Sequence, residues 1–409
     1  MTFGMRDPDP GTRSCRILIP DIPMAFTRRS LLQTGAAAIG VAALGQAGAA
    51  VASSGLPDTL RRIIDDAVAQ GAAPGIQLAV WRHGAPVLAH VAGKANLETG
   101  TDMRVESIFR IGSLTKQFAA ALAAVLAEAG KLDLDAPASR YLPVFANQPA
   151  FTVRELVHHT AGLHADESGE ALPGPASQRR LAEAIATQAT PFDFPPGTAW
   201  QYSNANYVVL GAIIEQVTGQ ALAEVGRTRL FERLGMTRTA FDHNEDIVPG
   251  RVAGYAFGDG DPPRLQNGPC VDVAQAGGAG AMRGTAEDLC RWHAALLDGR
   301  VVGDAALRAM LAPAKLRDGR LASAHRAREE DAAMGATEYG FGLLLDRATR
   351  DDSLIVQHNG FFYGFSAYLA THVQSRLTVA CLCNADPNPG LPFRALRRAV
   401  FADVLAPAR

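Results

Sequence analysis

A serine and a lysine three residues apart are the first pair in this chain that could do chemistry. Ser113 and Lys116 lie at the start of an apolar stretch that runs to Ala129. Spacing of three on a helix places both side chains on one face. A serine hydroxyl is a weak nucleophile until a base takes its proton, and burial favours the neutral amine that could be that base. The alternative is a helix start with a surface lysine, and the apolar run argues against it.

Two later tripeptides carry polar groups that could complete such a site. Tyr202-Ser203-Asn204 follows a Pro-Gly turn, and His358-Asn359-Gly360 ends an apolar run. A nearby cation would stabilise a tyrosinate and let Tyr202 relay protons, while Asn204 could hold the lysine amine and a substrate amide. Gly360 would let the backbone pass close to a ligand. The alternatives are a hydrogen-bonded loop for the first tripeptide and a structural histidine for the second.

The elements that would position these groups follow from the apolar periodicity. Helices are predicted at 58–70, Ser113–Ala129, Tyr207–Thr218, Thr285–Leu297 and Pro392–Leu405. A hairpin is predicted over Gly75–Val91, and strands over Tyr339–Leu345, Leu354–Gln357, Phe365–Thr371 and Leu377–Cys383. The segment 262–281, rich in Gly and Pro, is predicted to be a loop.

Strands therefore lie near both chain ends, with helices and loops between them. This order predicts an α/β protein of the α+β type. One antiparallel β-sheet would be formed by both chain ends and flanked by helices, with a mostly helical region beside it.

Composition is that of an ordinary globular protein. The 409 residues are 48% hydrophobic and 20% charged, which excludes a disordered or fibrous chain. The formal net charge of -2 gives no electrostatic reason to expect nucleic acid or an anionic membrane as a partner. Of 39 basic residues, few are lysines, and only lysine can lose its proton near neutral pH. The lysines are Lys94, Lys116, Lys131 and Lys315.

The five cysteines show no metal-ligand spacing. Cys381 and Cys383 would share one face of a strand, which makes a disulfide between them unfavourable. Cys270 and Cys290 could pair, but two buried free thiols are the favoured interpretation.

Residues 1–52 are predicted to be an N-terminal extension that includes a twin-arginine-type export signal. Arg28-Arg29 precedes an uncharged run of small and apolar residues, Gly35–Ala52, with Ala-x-Ala cleavage patterns at its end. Met24 is a candidate start. Export with cleavage is favoured over a retained membrane anchor. We therefore expect a mature domain, 53–409, that is periplasmic or secreted and not stably inserted in a membrane.

Taken in order, the three motifs resemble those of the serine β-lactamase and penicillin-binding-protein superfamily, especially its class C-like branch. That branch carries S-x-x-K, then Y-x-N, then K-T-G or H-x-G. The resemblance covers about residues 58–405. Supporting matches are Phe109–Ser113, Leu132–Asp135, His159–Leu163, Pro196-Gly197, Thr285–Leu289 and Tyr339–Gly342.

The resemblance implies a β-lactamase/DD-peptidase-like fold and a role for each motif residue. Ser113 would be the acylated nucleophile, Lys116 its proton acceptor, and Tyr202 a general base and acid beside it. Asn204 would position the substrate, and the backbone N–H groups of Ser113 and Phe361 would form an oxyanion hole. The resemblance implies neither a metal nor another cofactor. His158, His159 and His164 could suggest zinc, but they belong to a loop motif that the family shares.

One residue departs from the β-lactamases of this branch, which usually carry lysine at the start of the third motif. His358 stands there, and a histidine is mostly neutral at pH 7. The anchor for a substrate carboxylate should therefore be weak. A small-molecule ester, amide or peptide is the expected substrate, which favours an esterase or a D-amino-acid peptidase or amidase.

Two alternatives stay open at this point: a β-lactamase or D-alanyl-D-alanine carboxypeptidase, and a non-catalytic binding protein with the same fold. Other hydrolase and nucleotide-enzyme signatures are absent from the sequence, namely G-x-S-x-G, H-E-x-x-H and the P-loop. The sequence carries no indication of oligomeric state.

Overall fold

The computed structural model describes residues 55–164, 177–260, 263–332 and 334–405. The predicted export signal lies outside these residues. The strands are β1 (Gly75–Arg82), β2 (Ala85–Asn96), β3 (Thr101–Asp102), β4 (Phe109–Arg110), β5 (Ala240–Phe241), β6 (Tyr255–Phe257), β7 (Leu265–Asn267), β8 (Met282–Gly284), β9 (Glu338–Tyr339), β10 (Leu344–Arg347), β11 (Leu354–Phe362), β12 (Phe365–His372) and β13 (Leu377–Cys383).

The helices alternate with short 3₁₀ turns, and a π-helical turn at Arg227–Phe231 joins the sixth to the seventh. They are α1 (Leu56–Ala69), α2 (Thr115–Glu128), α3 (Val153–Val157), α4 (Gln178–Ala186), α5 (Asn204–Thr218), α6 (Leu222–Gly226), α7 (Glu232–Leu234), α8 (Gly277–Gly280), α9 (Ala286–Leu297), α10 (Asp304–Met310), α11 (Glu329–Ala332), α12 (Phe393–Val400) and α13 (Ala402–Leu405).

One antiparallel sheet joins the two ends of the chain, in the order β3-β2-β1-β13-β12-β11-β10-β9. The N-terminal hairpin meets the C-terminal strands where β1 pairs with β13, with Ile76 opposite Cys383 and Arg82 opposite Leu377. The prediction of a single sheet built from both chain ends is therefore confirmed, as is the α+β fold class.

Helices cover both faces of this sheet. Because side chains alternate along a strand, Leu78 packs with α1 and α12 while its neighbour Ala79 belongs to the larger core on the other face. That larger core includes α2, α5 and α9. Burial on both faces explains why β1 and β13 are almost continuously apolar in sequence.

At the centre of the helical region lies α2, buried along almost its whole length. Its alanine-rich surface allows α5 and α8 to pack close beside it. Within the described ranges no single helix is long and apolar enough to cross a membrane. The bent pair Asn204–Thr218 and Leu222–Leu234 meets the length and composition criteria only when taken together.

Three sequence predictions differ from the structure. The strand predicted to end before His358 continues through Phe362, because β12 pairs with it along its whole length. The run Tyr339–Leu345 is split into β9 and β10, since residues 340–343 form a turn, in which the Gly340 N–H donates to the Leu343 carbonyl, and β10 then pairs antiparallel with β9. The predicted loop 262–281 contains β7 and α8.

The cysteine prediction is partly wrong. Cys270 and Cys290 are both free, as favoured, but Cys270 is exposed and only Cys290 is buried. Cys381 and Cys383 are also free and buried, and they lie on one face of β13.

Candidate active site

Ser113 lies on a 3₁₀ turn, Gly112–Leu114, that leads directly into α2. This turn packs against β11 at two glycines. A Cβ on Gly112, whose φ is +51°, would lie 2.1 Å from the carbonyl oxygen of Phe361, and one on Gly360 would lie 2.0 Å from that of Ile111. Only glycine fits at either position. The third motif thus brings the Phe361 backbone next to the serine turn.

Lys116, in the first turn of α2, is completely buried. Its Nζ lies 3.0 Å from Ser113 Oγ, 2.6 Å from Asn204 Oδ1 and 2.9 Å from the carbonyl oxygen of Ala279. The prediction that this lysine is not a surface residue is therefore confirmed. The carbonyl oxygen and the amide oxygen can only accept, whereas the serine hydroxyl can either donate or accept.

The second motif lies against the same amine. The Tyr202 ring centroid is 4.8 Å from Lys116 Nζ, so the phenol and the amine share one wall of the site. Asn204 is the first residue of α5, three positions earlier than the predicted start at Tyr207. Between these residues, the Ser203 N–H donates to Nδ1 of His159 at 3.2 Å, which ties the motif to the loop beneath it.

The third motif is buried rather than open to the cleft. His358 is 1% exposed, with Nδ1 2.5 Å from the carbonyl oxygen of Asn359 and Nε2 3.4 Å from the hydroxyl of Tyr339. Burial lowers the pKa of His358 to about 3. The imidazole is thus neutral at physiological pH, and its pKa lies further below that pH than the ordinary histidine value used in the sequence analysis.

The structure brings all seven predicted site residues into one region, although their catalytic roles stay predictions. Ser113, Lys116 and Asn204 are in direct contact, and Tyr202 lies over the amine. The backbone of Phe361, beside Gly360, packs on the serine turn. His358 stands behind these groups, where its ring lies 6.1 Å from that of Tyr202.

Three further groups lie at the site and were not singled out from sequence. The carbonyl of Ala279 carries no residue-type signal at all. His159 and Tyr339 were visible only as parts of the supporting motifs, yet both are fully buried and their side chains meet at 3.2 Å. The sequence signal that could have identified them is a histidine and a tyrosine inside two of the supporting motifs.

The three histidines considered for zinc point to different partners. His159 contacts Ser203 and Tyr339, His164 pairs with Asp193, and His158 is buried against Phe341. Among the residues that the structure describes, no group of three or more His, Cys, Asp or Glu side chains is arranged to hold a metal ion.

Comparison with known proteins places the chain among relatives of several activities. It is 27% identical over 316 residues to penicillin-binding protein 4* of Bacillus subtilis (strain 168), covering 73% of this chain and 65% of that protein. It is 32% identical over 251 residues to esterase EstB of Burkholderia gladioli, covering 56% of this chain and 62% of that protein. The chain thus spans less than two thirds of the length of these curated relatives.

A solved structure with the same fold is the D-amino acid amidase of Ochrobactrum anthropi SV3, complexed with D-phenylalanine. It superposes with a TM-score of 0.70 at 25% identity, covering 86% of this chain and 100% of that one. The family model described as Beta-lactamase matches residues 60–403. A match over so much of the sequence shows that the chain belongs to the beta-lactamase family.

Proposed function

We propose that this protein is a serine hydrolase that works through an acyl-enzyme on Ser113. The observation that carries the proposal is the environment of the Lys116 amine. Two of its neighbours, Asn204 Oδ1 and the carbonyl of Ala279, can only accept hydrogen bonds. A neutral amine has two N–H groups, which these two oxygens satisfy. The lone pair of such a neutral amine can then accept the proton of Ser113 Oγ, 3.0 Å away.

In the proposed acylation step, the lone pair of the amine takes the Ser113 hydroxyl proton as Oγ attacks the substrate carbonyl. The Tyr202 phenol, beside the amine, passes a proton to the leaving alcohol or amine, so that the group departs neutral. The N–H groups of Ser113 and Phe361 stabilise the negative charge that develops on the carbonyl oxygen. Water then attacks the ester with the same groups acting in reverse, and Ser113 regains its proton.

We propose that the substrate is an ester or a D-amino-acid amide or peptide without an essential carboxylate. His358 supports this, because it is neutral, almost inaccessible, and has both ring nitrogens hydrogen-bonded inside the protein. It therefore offers no cation to a substrate carboxylate. The esterase and amidase names of two of the relatives agree with this substrate class.

Steady-state kinetics on two substrates test the proposal. We expect kcat/KM for a short-chain p-nitrophenyl ester to exceed that for a chromogenic cephalosporin by at least about tenfold. The cephalosporin carries the carboxylate that the site is proposed not to hold. A cephalosporin value far above the ester value would overturn the substrate assignment while leaving the serine mechanism intact.

A second candidate is a β-lactamase or D-alanyl-D-alanine carboxypeptidase. The penicillin-binding protein among the relatives favours it. A long-lived penicilloyl ester on Ser113, seen as a mass increase of the intact protein, would support this candidate. A non-catalytic binding protein would acquire no adduct from any acylating reagent.

We also propose that the chain is exported by its twin-arginine-type signal and that cleavage near residue 52 releases the mature domain. Mass spectrometry of protein from the periplasmic fraction tests this. A mature N-terminus close to residue 50 is expected, and replacing Arg28-Arg29 by two lysines should leave the precursor in the cytoplasm. Finding only the uncleaved chain in the membrane fraction would contradict the proposal.

A further inference from the structure

The proposed serine mechanism uses the front of the site, but a buried row of side chains lies behind it. The row runs from Ser203 through His159 and Tyr339 to His358. We propose that Tyr339 is a positioning residue that holds His358 in one tautomer and one orientation, and through it the strand that carries Phe361. This inference rests on the proposed function, because it assigns the residue that keeps part of the oxyanion hole in place.

The direction of the hydrogen bonds is fixed at one end by a backbone donor. The Ser203 N–H can only donate, and it lies 3.2 Å from Nδ1 of His159. That nitrogen must therefore carry the lone pair. Because burial holds the pKa of His159 well below its usual value, the ring is neutral and its proton is on Nε2. This Nε2–H faces the Tyr339 oxygen at 3.2 Å and donates to it.

The other end is fixed by a backbone acceptor. The Asn359 carbonyl oxygen can only accept, and Nδ1 of His358 lies 2.5 Å from it. His358 therefore carries its proton on Nδ1 and a lone pair on Nε2, since its pKa of about 3 keeps the ring neutral. The Tyr339 hydroxyl, 3.4 Å from that lone pair, is the donor that completes the row. The two ends impose the same direction on every bond between them.

Tyr339 can sustain this arrangement because it does not ionise. It is 2% exposed, and burial raises its pKa well above the usual value, with neighbouring Tyr207 and Tyr202 raising it further. Tyr207 is the other phenol within reach of the Tyr339 hydroxyl, but the Tyr207 hydroxyl donates to the carbonyl of Val157 at 2.8 Å. Two acceptors therefore face the Tyr339 proton: the Tyr207 oxygen, which hydrogen-bonds to the Tyr339 side chain, and the lone pair of His358, which is the acceptor within the row.

The consequence reaches the reacting atoms through the backbone. By fixing the ring of His358, Tyr339 fixes the Nδ1–H that anchors the Asn359 carbonyl, two residues before Phe361. The same ring faces Tyr202, with 6.1 Å between the centroids. Loss of the Tyr339 hydroxyl should therefore loosen the oxyanion donor without removing any group that binds substrate, which lowers kcat more than it raises KM.

The test is imidazole NMR on ¹⁵N-histidine-labelled full-length protein at neutral pH, combined with ester kinetics. We expect the wild type to show His159 protonated on Nε2 and His358 protonated on Nδ1. Tyr339→Phe should give averaged His358 nitrogen shifts and a kcat lower by about tenfold, with KM nearly unchanged. Tyr207→Phe is the matched control, because it removes the competing acceptor of the Tyr339 proton but no member of the row, and it should preserve the His358 tautomer.

A wild-type His358 protonated on Nε2 would overturn the inference, whatever the variants do. So would a Tyr339→Phe variant that keeps both the wild-type tautomer and the wild-type kcat. These outcomes are separate from failure of the proposed function, which would appear as hydrolysis that persists in Ser113→Ala. The tautomers can be measured without any turnover.

Discussion

Nζ of Lys116 lies 2.6 Å from Oδ1 of Asn204, although 88 residues separate the two along the chain. The contact exists because the first turns of α2 and α5 lie side by side, and it uses one N–H of the amine. The Ala279 carbonyl lies 2.9 Å and Ser113 Oγ 3.0 Å from the same nitrogen, so the neutral amine that we propose would have its lone pair available for Ser113. Most of the predictions below test this arrangement or the elements that hold it.

Lys116→Arg removes the proton acceptor but keeps a cation at the site. Arginine does not deprotonate in proteins, so we expect kcat/KM for the ester to fall by about a thousandfold. Lys131→Arg, at an exposed position, is the matched control and should behave as the wild type. If Lys116→Arg kept more than about a tenth of the wild-type rate, a neutral amine would not be the base.

Asn204→Asp changes one neutral oxygen neighbour of the amine into a carboxylate of the same shape. A negative charge so close favours the protonated amine, which cannot accept the serine proton. The acid limb of the pH profile of kcat/KM should therefore move to higher pH, by about one to two units. A full profile measured between about pH 5 and pH 10 checks this, and an unshifted acid limb would count against the amine as base.

Gly112→Ala tests the close packing of the serine turn on β11. The new methyl would lie 2.1 Å from the carbonyl oxygen of Phe361 at a φ of +51°, so the turn must move away from the strand. We expect a loss of about 2 kcal/mol in the free energy of unfolding and a large loss of kcat.

Gly130→Ala is the control for backbone strain alone. Its φ is +67°, but no atom lies within 4 Å of the added methyl. It should lower the free energy of unfolding, measured in urea, by about 1 kcal/mol and leave kcat unchanged. Equal kcat values for the two alanine variants would show that the contact with β11 does not matter for the reaction.

His293→Gln tests a pH dependence of stability that arises from a buried histidine outside the seven site residues. Burial lowers the pKa of His293 to about 3. Its two ring nitrogens are hydrogen-bonded to the side chains of Thr371 and Gln117. Between that value and about 6.5 the unfolded chain binds a proton that the folded chain does not. The free energy of unfolding therefore increases with pH in this window. For this imidazole the increase is about 1.4 kcal/mol per pH unit, and the same stability is lost as the pH falls.

Urea unfolding at several pH values between about 4 and 6 measures this slope. The slope should be smaller in His293→Gln by that amount, whatever the variant does to stability at neutral pH. His325→Gln, at an exposed position, should leave the slope unchanged. Identical slopes for His293→Gln and the wild type would mean that the buried ring is protonated in the folded state.

The residue types and order of the three motifs predicted the seven site residues that come together, but not His159 and Tyr339 beside them. Ser113 and Lys116 share a helix face by spacing, and the contact between Lys116 and Asn204 was foreseen as hydrogen-bond chemistry. The Ala279 carbonyl could not be predicted, because a backbone oxygen has no residue-type signal and its position depends on how α8 packs. The presence of strands at both chain ends predicted a shared sheet, but not that β1 would pair with β13.

Other features depended on tertiary contacts that local pattern does not encode. The strand β11 was predicted too short because His358, Asn359 and Gly360 are weak strand formers alone, whereas pairing with β12 extends it through Phe362. Cys270 was expected to be buried on residue type, but it lies exposed ahead of the turn at 273–276. The row through Tyr339 required the fold, since its members come from four separate segments.

The most direct test of the account is the site of covalent labelling by a fluorophosphonate reagent, read by peptide mass spectrometry on the wild type, Ser113→Ala and Lys116→Arg. The account predicts a single adduct on Ser113 in the wild type, no adduct in Ser113→Ala, and labelling of Lys116→Arg slowed by about a thousandfold. An adduct on a different residue, together with ester hydrolysis at the wild-type rate in Ser113→Ala, would contradict it.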